Sequence, residues 1–447
     1  MLPDRAATGV DLPVRDVLPA LIAALTGDGR PTRDPGVGPD GADGDGTGAG
    51  GAAVLVAPPG TGKTTLVPLA LADVVTGRVL VAEPRRIAVR AAARRMASLV
   101  SGDASGDVGG AVGYTIRGER RVGPSTRVEV VTTGVLVRRL QRDPELPGTD
   151  AVILDECHER HLDADLALAF MLDVRATLRP DLMLLATSAT ADTQRLAALL
   201  GGPGPAAPVV GTDAPLFGVD VVWTPAPGPI VPAHGLRVDP RLLDHVAATI
   251  GRALRETSGD VLVFLPGAGE IAAVAGRIAG HRDTVDLDTV DVVTLHGQQS
   301  GRTQDAALRA GPRRRIVLAT AVAESSITVP GVRVVVDAGL ARSPRTDHAR
   351  GLGSLVTVRV SRSSASQRAG RAGREAPGRV YRCWSAAEHD RLPAQAEPEI
   401  AVADLTGFAL DLAVWGHPGG AGLELLSDPP PGASNHDEAT LRQLVAL

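Results

Sequence analysis

Short runs of apolar residues recur along the chain, and stretches with helical spacing separate them. Between residues 52 and 187 these runs are AAVLVA, VLVAE, VEVVT, AVILD and LMLLAT. Continuous apolar runs of this length between helices are typical of parallel strands that are covered on both faces. The pattern therefore predicts a doubly wound α/β domain.

A second series of apolar runs follows a Pro- and Gly-rich break at residues 201–215. Its members are VLVFL at 261–265, VVTL at 292–295, IVLAT at 316–320 and VRVVVD at 332–337. The simplest interpretation is a second α/β domain that a linker joins to the first. From about residue 386 the chain holds one helical stretch, DLTGFALDLAVWG, and this remainder looks incomplete as a domain.

The region before the first apolar run has two parts. Residues 13–26 carry apolar side chains at helical spacing, and Gly27 is the predicted end of that helix. Residues 30–52 are rich in Gly, Asp and Pro without apolar periodicity, which predicts a flexible insertion. The predicted organisation is an N-terminal helix in 1–29, the insertion in 30–52, α/β domains in 53–205 and 206–385, and the start of a helical or winged-helix accessory region in 386–447.

Composition narrows the class of protein. The chain is 44% hydrophobic and 22% charged, as globular proteins are, with a net charge of −5. No run approaches the ~18 apolar residues of a membrane span, and the acidic, apolar-poor start does not resemble a signal peptide. We therefore expect a cytoplasmic protein. Cys157 and Cys383 are too few and too far apart to indicate a disulfide framework or a CxxC metal site.

The first apolar run leads into a glycine-rich loop, APPGTGKT at 57–64, and an apolar helix follows. The spacing matches the phosphate-binding P-loop, with Ala57 in place of its first glycine. Gly60 and Gly62 let backbone N–H groups and the helix N-terminus point at one anion. Lys63 supplies a compact charge to the outer phosphates and Thr64 a hydroxyl to Mg²⁺, so the loop predicts binding of ATP or another NTP.

Lysine is rare in this chain, which strengthens the assignment. Of the 46 basic residues, 45 are Arg and only Lys63 is Lys. Arg is a poor replacement at this position, because its wide planar fork has a different reach. A Gly-rich turn that binds nothing is the alternative, and the ordered strand, loop, Lys-Thr pair and helix argue against it.

Two adjacent carboxylates end the strand in AVILDECH at 151–158. Asp155 can hold Mg²⁺ through water, and Glu156 can orient and deprotonate an attacking water. Downstream of a P-loop this pair predicts nucleotide hydrolysis. Cys157, His158 and His161 are close in sequence, but no second ligand pair accompanies them, so a small buried Cys157 is favoured over a zinc site.

Eight sequence blocks in a fixed order resemble the DEAH/DExH-box helicases of superfamily 2, and most closely the HrpB-type bacterial ATP-dependent helicases. The resemblance covers nearly all of residues 13–447 apart from the insertion. The blocks are APPGTGKTT (57–65), EPRRIAVRAAARRMA (83–97), VTTGVL (131–136), DECHERHLDADLAL (155–168), SAT (188–190), VLVFLPG (261–267), LATAVAESSITVPGV (318–332) and QRAGRAGR (367–374).

The resemblance implies a fold of two tandem RecA-like P-loop NTPase domains with a short helical C-terminal segment. It implies NTP hydrolysis at a site between the two domains, movement on single strands, and RNA favoured over DNA as the partner. The implied catalytic residues are Lys63, Glu156, Gln367, Arg371 and Arg374. The implied nucleotide-binding residues are Gly60, Thr61, Gly62, Lys63, Thr64, Thr65, Asp155, His158, Ser188 and Thr190, with Thr64 and Asp155 also holding Mg²⁺.

QRAGRAGR spaces its arginines three apart. On a helix, Arg368, Arg371 and Arg374 would cluster on one side, where they could complete the first domain's site on closure. The resemblance makes Arg371 and Arg374 arginine fingers, places Gln367 near the γ-phosphate, and gives Ser188 and Thr190 the link to domain movement. A solvated basic helix face is the alternative.

Nucleic-acid contacts are expected at strand ends, where Arg and hydroxyl groups can grip phosphates without reading sequence. Aromatic residues make up only 2% of the chain, too few for an extensive base-stacking platform. Residues 340–366 alternate around LVTVRV, which predicts a β-hairpin, and the resemblance implies that this hairpin separates strands. The candidate contacts are Arg85, Arg86, Arg117, Thr133, Gly134 and Thr320.

Two departures from the family pattern leave a second function open. Pro330 stands where relatives commonly carry an acidic residue, and the sequence stops soon after QRAGRAGR, whereas HrpB-type proteins continue. The alternative is a truncated, nucleotide-switched nucleic-acid-binding protein without processive unwinding. An ATP-driven transporter subunit or a small-molecule kinase is disfavoured, because LSGGQ-like and substrate-lid signals are missing.

Overall fold

A computed structural model describes residues 1, 12–27, 50–102, 106–190, 193–212, 217–280, 289–325, 327–347 and 352–430. The chain forms two compact units, Met1–Ala214 with Leu405–Leu447, and Pro215–Asp404. The predicted insertion falls outside the described residues up to position 49. None of the helices in the described part of the chain has the length and apolar character needed to cross a bilayer.

The sheet of the first unit has eight strands among the described residues, in the order β4-β3-β5-β2-β6-β7-β1-β8. All neighbours are parallel except β3 and β4. Its strands are β1 (Ala52–Val56), β2 (Arg78–Glu83), β3 (Val112–Ile116), β4 (Glu119–Arg121), β5 (Val128–Thr132), β6 (Thr149–Leu154), β7 (Met183–Ser188) and β8 (Val209–Gly211).

The second unit has a sheet in the order β11-β12-β10-β13-β16-β9, parallel throughout its described strands, and a separate antiparallel pair, β14-β15. That pair is the predicted hairpin, with residues 348–351 outside the described part. The strands are β9 (Val219–Trp223), β10 (Asp260–Phe264), β11 (Val290–Leu295), β12 (Arg314–Ala319), β13 (Val332–Asp337), β14 (Leu340–Asp347), β15 (Leu352–Arg359) and β16 (Gly378–Arg382).

Helices follow the strands as parallel pairing requires. Most central strands are buried along their length, as the continuous apolar runs predict. The α-helices are α1 (Leu18–Thr26), α2 (Lys63–Val74), α3 (Arg86–Ser101), α4 (Thr133–Arg142), α5 (Leu162–Thr177), α6 (Gln194–Gly201), α7 (Pro240–Glu256), α8 (Ala268–Gly280), α9 (Gly301–Ala307), α10 (Arg362–Gly370), α11 (Ala386–Asp390) and α12 (Thr406–Trp415). Each unit is thus α/β, with a largely parallel sheet and helices between its strands, as the apolar pattern predicts.

The N-terminal helix begins as a 3₁₀ turn, Pro13–Val17, and continues as α1. Gly27 ends it with φ of 69°, a left-handed conformation that glycine adopts without steric cost. Val14 lies in the core of the first unit, and its backbone N–H donates to the carbonyl of Thr61, 3.1 Å away. The 3₁₀ turn that precedes α1 therefore contacts and stabilises the glycine-rich loop.

The chain returns to the first unit near its end. β8 pairs with β1, so residues 209–211 lie in the first sheet although the predicted boundary stands at 205. Residues 386–404 belong to the second unit, whereas α12 belongs to the first. In α12, Trp415 stacks on Phe170 of α5 with ring centroids 4.1 Å apart and donates from Nε1 to Asp173.

Candidate active site

The glycine-rich loop runs from the end of β1 to the start of α2. Gly60 and Gly62 adopt φ of 93° and 95°, left-handed conformations that favour glycine and that let the chain turn sharply before α2. A Cβ on Gly62 would lie 2.8 Å from Leu12 Cδ1, so the N-terminal segment packs directly against the loop. The loop has the conformation of an anion cradle.

Lys63, the first residue of α2, is buried with its ammonium against carboxylates. Nζ donates to Oε2 of Glu156 at 2.7 Å and lies 4.0 Å from Oδ1 of Asp155. Burial lowers the pKa of Lys63, but these two carboxylates outweigh burial and the pKa is raised above its ordinary value. Lys63 is therefore a fixed cation.

Asp155 and Glu156 directly follow β6, at the carboxyl edge of the sheet. Thr64 Oγ1 donates to Oδ2 of Asp155 at 2.6 Å, and the hydroxyl of Thr187 donates to Oδ1. Burial raises the pKa of Asp155, but Lys63 and these hydrogen bonds outweigh it and the pKa is lowered. The aspartate is ionised.

Strand order explains this convergence. β6 lies between β2 and β7, and β7 lies between β6 and β1. The carboxyl ends of these four strands therefore meet at one edge, as ligand sites of open α/β sheets do. They deliver Glu83, Asp155, Thr187 and the glycine-rich loop to the same place.

Glu83 and Thr187 are site residues that the sequence analysis missed. Glu83 ends β2, is 0% exposed, and no described residue donates a hydrogen bond to either of its carboxyl oxygens. Burial first, and then Asp155, raises its pKa well above the ordinary range. The only available signal was an acidic residue at the end of an apolar run, opening the block EPRR.

The site fits a divalent cation with few protein ligands. Three buried carboxyl groups face one ammonium, and Thr64 and Asp155 present adjacent oxygens, the ligand chemistry of Mg²⁺. Within the described residues, no group of three or more His, Cys, Asp or Glu is arranged to hold a metal. Mg²⁺ commonly takes one or two protein oxygens and completes its shell with phosphates and water.

His158 connects this site to the loop after β7. Its Nδ1 accepts from the backbone N–H of Ala189 at 3.1 Å and lies 3.5 Å from Oε2 of Glu156. Burial lowers the pKa of His158, which favours the neutral ring. Because Nδ1 accepts from Ala189, a neutral ring carries its proton on Nε2. Ser188 and Thr190 bond each other: Thr190 N–H donates to Ser188 Oγ at 3.1 Å.

The remaining predicted nucleotide residues of the first unit are Thr61, in the loop, and Thr65, in the first turn of α2. Thr61 is buried and donates from Oγ1 to the carbonyl of Pro58, and Thr65 donates to that of Gly62. Cys157 is buried, with its thiol against the Leu154 carbonyl, and burial raises its pKa, which is the behaviour of a small core residue.

The arginine-rich block of the second unit does not have the predicted geometry. α10 ends at Gly370, so only Arg368 lies on the helix, and the prediction that all three arginines share one helix side is wrong. Successive three-residue backbone bonds from Arg371, Ala372 and Gly373 replace the helix. The two glycines of AGRAG lower helix propensity there.

The three arginines nevertheless meet the same neighbouring segment. Arg368 is 1% exposed and pairs with Glu324 at 2.8 Å and Asp337 at 2.9 Å, so it is committed within the unit. Arg371 donates to the carbonyls of Ile327, at 2.6 Å, and Glu324, and Arg374 donates to Ile327 at 3.0 Å. Gln367 lies half-buried on α10.

Five of the six predicted nucleic-acid contacts lie in the first unit, at or next to the carboxyl ends of β2, β3 and β5. Arg85 forms an ion pair with Glu159 at 3.0 Å. Arg86 donates to the carbonyl of Arg117, 3.3 Å away, in the β3–β4 turn. Thr133 and Gly134 begin α4. Thr320 lies in the second unit, after β12.

Pro330, the departure from the family pattern, precedes the left-handed Gly331 and β13. Its carbonyl accepts from Nη2 of Arg315 at 2.6 Å. Arg315 is 3% exposed and also bonds Asp260 at 2.7 Å. The backbone at this position is therefore anchored to the core of the second unit.

The comparisons with known proteins cover both units. The profile described as "DEAD/DEAH box helicase" matches residues 47–199, and that described as "Helicase conserved C-terminal domain" matches 242–376. The Escherichia coli ATP-dependent RNA helicase HrpB is 43% identical over 384 residues, which are 84% of this chain and 44% of the relative. The human probable ATP-dependent RNA helicase DHX34 is 33% identical over 88% of this chain and 34% of its own length.

Solved structures agree with the sequence matches. The crystal structure of the Escherichia coli DEAH/RHA helicase HrpB superposes with a TM-score of 0.82 at 40% identity. It covers 98% of this chain, and this chain covers 51% of it. The present chain thus spans about half the length, or less, of the relatives it matches.

Proposed function

Because the chain belongs to the DEAD/DEAH box helicase family, we propose that it hydrolyses ATP to move on, and separate, strands of RNA. The observation that carries the proposal is the pairing of Lys63 with Glu156 and of Thr64 with Asp155 at the carboxyl edge of the first sheet. The first pair places the phosphate-binding cation, Lys63, beside the general base, Glu156. The second pair brings together the two metal ligands, Thr64 and Asp155.

The chain's own residues divide the work of hydrolysis. The N–H groups of the glycine-rich loop and Lys63 bind the phosphates, with Thr61 and Thr65 fixing the loop. Thr64 and Asp155 would hold Mg²⁺, which supplies positive charge to the phosphate oxygens when bound. Glu156 orients the attacking water and accepts its proton.

The other predicted site residues, three from each unit, complete the assignment. We assign Arg371 and Arg374 to stabilising negative charge on the transferred phosphoryl group, and Gln367 to the γ-phosphate. Ser188, Thr190 and His158 would carry the nucleotide state to the rest of the protein. The hydrogen bond from Ala189 to His158, 3.5 Å from Glu156, supports that route.

We propose single-stranded RNA as the nucleic acid, held by its phosphates at Arg85, Arg86, Arg117, Thr133, Gly134 and Thr320. The location of the first five at neighbouring strand ends of one sheet supports a common path. Few aromatic residues are available to stack on bases, so contacts along the backbone should dominate. The β14–β15 hairpin would separate strands, and the cytoplasm stays the predicted compartment.

Phosphate release with and without single-stranded RNA tests the proposal. We expect stimulation by RNA, and loss of activity in Lys63→Ala, Glu156→Gln and Arg371→Ala. The RNA concentration for half-maximal stimulation should rise steeply with salt, because each phosphate contact displaces counterions. Unchanged turnover in all three variants, or no response to RNA or to a matched DNA strand, would contradict it.

A partial-duplex assay separates the helicase from the alternative, a nucleotide-switched binding protein. Strand displacement that requires hydrolysable ATP supports the helicase. ATP-dependent binding without displacement on both RNA and DNA duplexes would favour the switch. The family matches cover the regions of both units and favour the helicase.

A further inference from the structure

Residues 156–160, which follow Asp155 at the end of β6, form a constrained segment. Glu156 and Arg160 adopt φ of 56° and 55°, on either side of the 3₁₀ turn Cys157–Glu159. Left-handed conformations are costly for residues with a Cβ and persist where side-chain contacts hold them. Here Glu156 contacts Lys63, and Arg160 bonds Asp165 at 2.8 Å. Loss of a side-chain contact elsewhere in this segment can therefore change the conformation of Glu156.

Glu159 contacts a residue predicted to bind nucleic acid. Its Oε2 lies 3.0 Å from Nη2 of Arg85 and 2.7 Å from Nε2 of His161. The Glu159 side chain is 10% exposed and that of Arg85 22% exposed. A carboxylate thus occupies part of the donor surface of Arg85, directly after β2.

A second carboxylate, that of Asp163 at the start of α5, lies close to Gly134, another predicted nucleic-acid contact. A Cβ on Gly134, at the start of α4, would come 2.9 Å from Oδ2 of Asp163. Two residues expected to meet the nucleic-acid backbone are thus each covered by an acidic side chain from positions 159–163. The acidic groups lie only three and seven positions beyond Glu156.

We propose that Glu159 is a positioning residue that mimics a nucleic-acid phosphate on Arg85, and that RNA displaces it to adjust Glu156. The proposal rests on the proposed function, in which Arg85 binds RNA. Arginine binds carboxylate and phosphate with the same planar donor geometry, so the two compete for it. An arriving phosphate also repels the ionised Glu159.

This exchange couples RNA binding to hydrolysis through the backbone of 156–160. With Glu159 on Arg85, the segment keeps the left-handed turn that holds Glu156 against Lys63. When a phosphate takes Arg85, Glu159 loses that ion pair and keeps its contact with His161, and Glu156 gains the freedom to orient water. Couplings between sites of this kind commonly amount to ~5–150-fold.

Glu159→Gln tests the coupling, because it keeps the shape of the side chain and removes its charge. We expect phosphate release without RNA to rise ~5-fold or more. The rate at saturating polyuridylate should stay near that of the wild type, and half-maximal stimulation should need less polyuridylate. Asp181→Asn is the matched control, because it removes the Arg179–Asp181 ion pair of the same unit and should change neither quantity.

Arg85→Gln gives an effect that a merely structural role would not produce. It also removes the Arg85–Glu159 ion pair, so hydrolysis without RNA should rise as in Glu159→Gln. Because a phosphate contact is lost, half-maximal stimulation should need more polyuridylate, the opposite shift. In the double variant, hydrolysis without RNA should match that of either single variant. Thermal melting verifies that each variant folds, and Arg85→Gln decides alone if Glu159→Gln does not.

The two levels of the proposal fail differently. If polyuridylate stimulates the wild type but both variants keep its basal rate, or lower it, the coupling through Glu159 is overturned and the proposed function stands. If no nucleic acid stimulates the wild type, the proposed function is overturned and the coupling with it.

Discussion

Lys63 Nζ lies 2.7 Å from Oε2 of Glu156, so the predicted phosphate-binding cation and the predicted general base are hydrogen-bonded to each other. A lysine ammonium has three donors and can keep this bond while it binds a phosphate. In the proposed coupling, this ion pair keeps Glu156 next to the phosphate site and restricts its side chain until RNA binds. Two roles that the sequence assigns separately depend on one contact.

Glu156→Gln should separate binding from chemistry. The amide oxygen still accepts from Lys63, so the affinity for a fluorescent ATP analogue should stay near that of the wild type. Proton acceptance is lost, and phosphate release should fall by about 10²–10⁴-fold. Lys63→Ala should lose affinity as well. Equal loss of affinity and turnover in Glu156→Gln would contradict the division of roles.

Arg371 and Arg374 should differ in their effect on stability. Arg371 is 3% exposed and supplies hydrogen bonds to the carbonyls of Glu324 and Ile327, whereas Arg374 is only partly buried. Arg371→Ala should lower the free energy of unfolding of the second unit by about 1–3 kcal/mol, because it leaves buried carbonyls without these donors. Arg374→Ala should cost less than ~1 kcal/mol.

The rate of phosphate release shows whether Arg371→Ala and Arg374→Ala affect catalysis as well as stability. If both arginines act on the phosphoryl group, each variant should lose about 10³-fold or more in phosphate release at saturating ATP. Arg379→Ala, on β16 of the same unit, is the control. Normal hydrolysis by a folded Arg374→Ala would remove Arg374 from the catalytic set.

Glu129 should give the first unit an acid-sensitive stability. Burial raises its pKa, but hydrogen bonds from Arg139 and Thr115 outweigh burial and the pKa of Glu129 is lowered. A lowered pKa means that the ionised group stabilises the fold above its unfolded pKa of ~4.3, and that this contribution is lost as pH falls through the folded value. Glu129→Gln should therefore cost most at neutral pH.

Chemical denaturation from pH 7 to pH 3 measures this dependence. The difference between wild type and Glu129→Gln should be about 1–3 kcal/mol at pH 7 and should shrink below about pH 4. Asp220→Asn, with a side chain 78% exposed, is the control and should show little difference at any pH. A difference that is constant with pH would show that packing, not charge, is lost.

Local sequence signals predicted the parts of the site that local sequence builds. The turn of the glycine-rich loop depends on its own Gly60 and Gly62 and on the strand and helix beside it, so it could be predicted without a fold. Its contacts with Leu12 and Val14 could not. The long apolar strands were also predictable, because burial on both faces leaves continuous runs. β3, β4, β8, β9 and β16 were missed, since they are short or carry glycine or polar residues.

The remaining errors concern strand order and helix ends. Glu83 and Thr187 join the site because β2 and β7 flank β6, and nothing near either residue in the sequence specifies that order. The spacing of QRAGRAGR suggested a longer helix, but Gly370 ends α10 and tertiary hydrogen bonds to Glu324 and Ile327 orient Arg371 instead. Both depend on contacts between segments distant in sequence.

The return of α12 to the first unit predicts that Trp415 stabilises that unit. Its ring stacks on the fully buried Phe170, and its Nε1 bonds Asp173 at 2.8 Å. Trp415→Ala removes both contacts and should lower the free energy of unfolding of the first unit by about 2–4 kcal/mol. Trp415→Phe keeps a ring on Phe170 and should cost about half as much.

The other two tryptophans supply an internal reference for that measurement. Trp223 and Trp384 belong to the second unit, so their fluorescence in Trp415→Ala reports unfolding of that unit, while circular dichroism reports both. We expect an earlier first transition by circular dichroism and an unchanged fluorescence midpoint. A contact confined to the first unit cannot shift the unfolding transition of the second unit. If the fluorescence midpoint moves by the same amount, residues 405–415 therefore stabilise the second unit too.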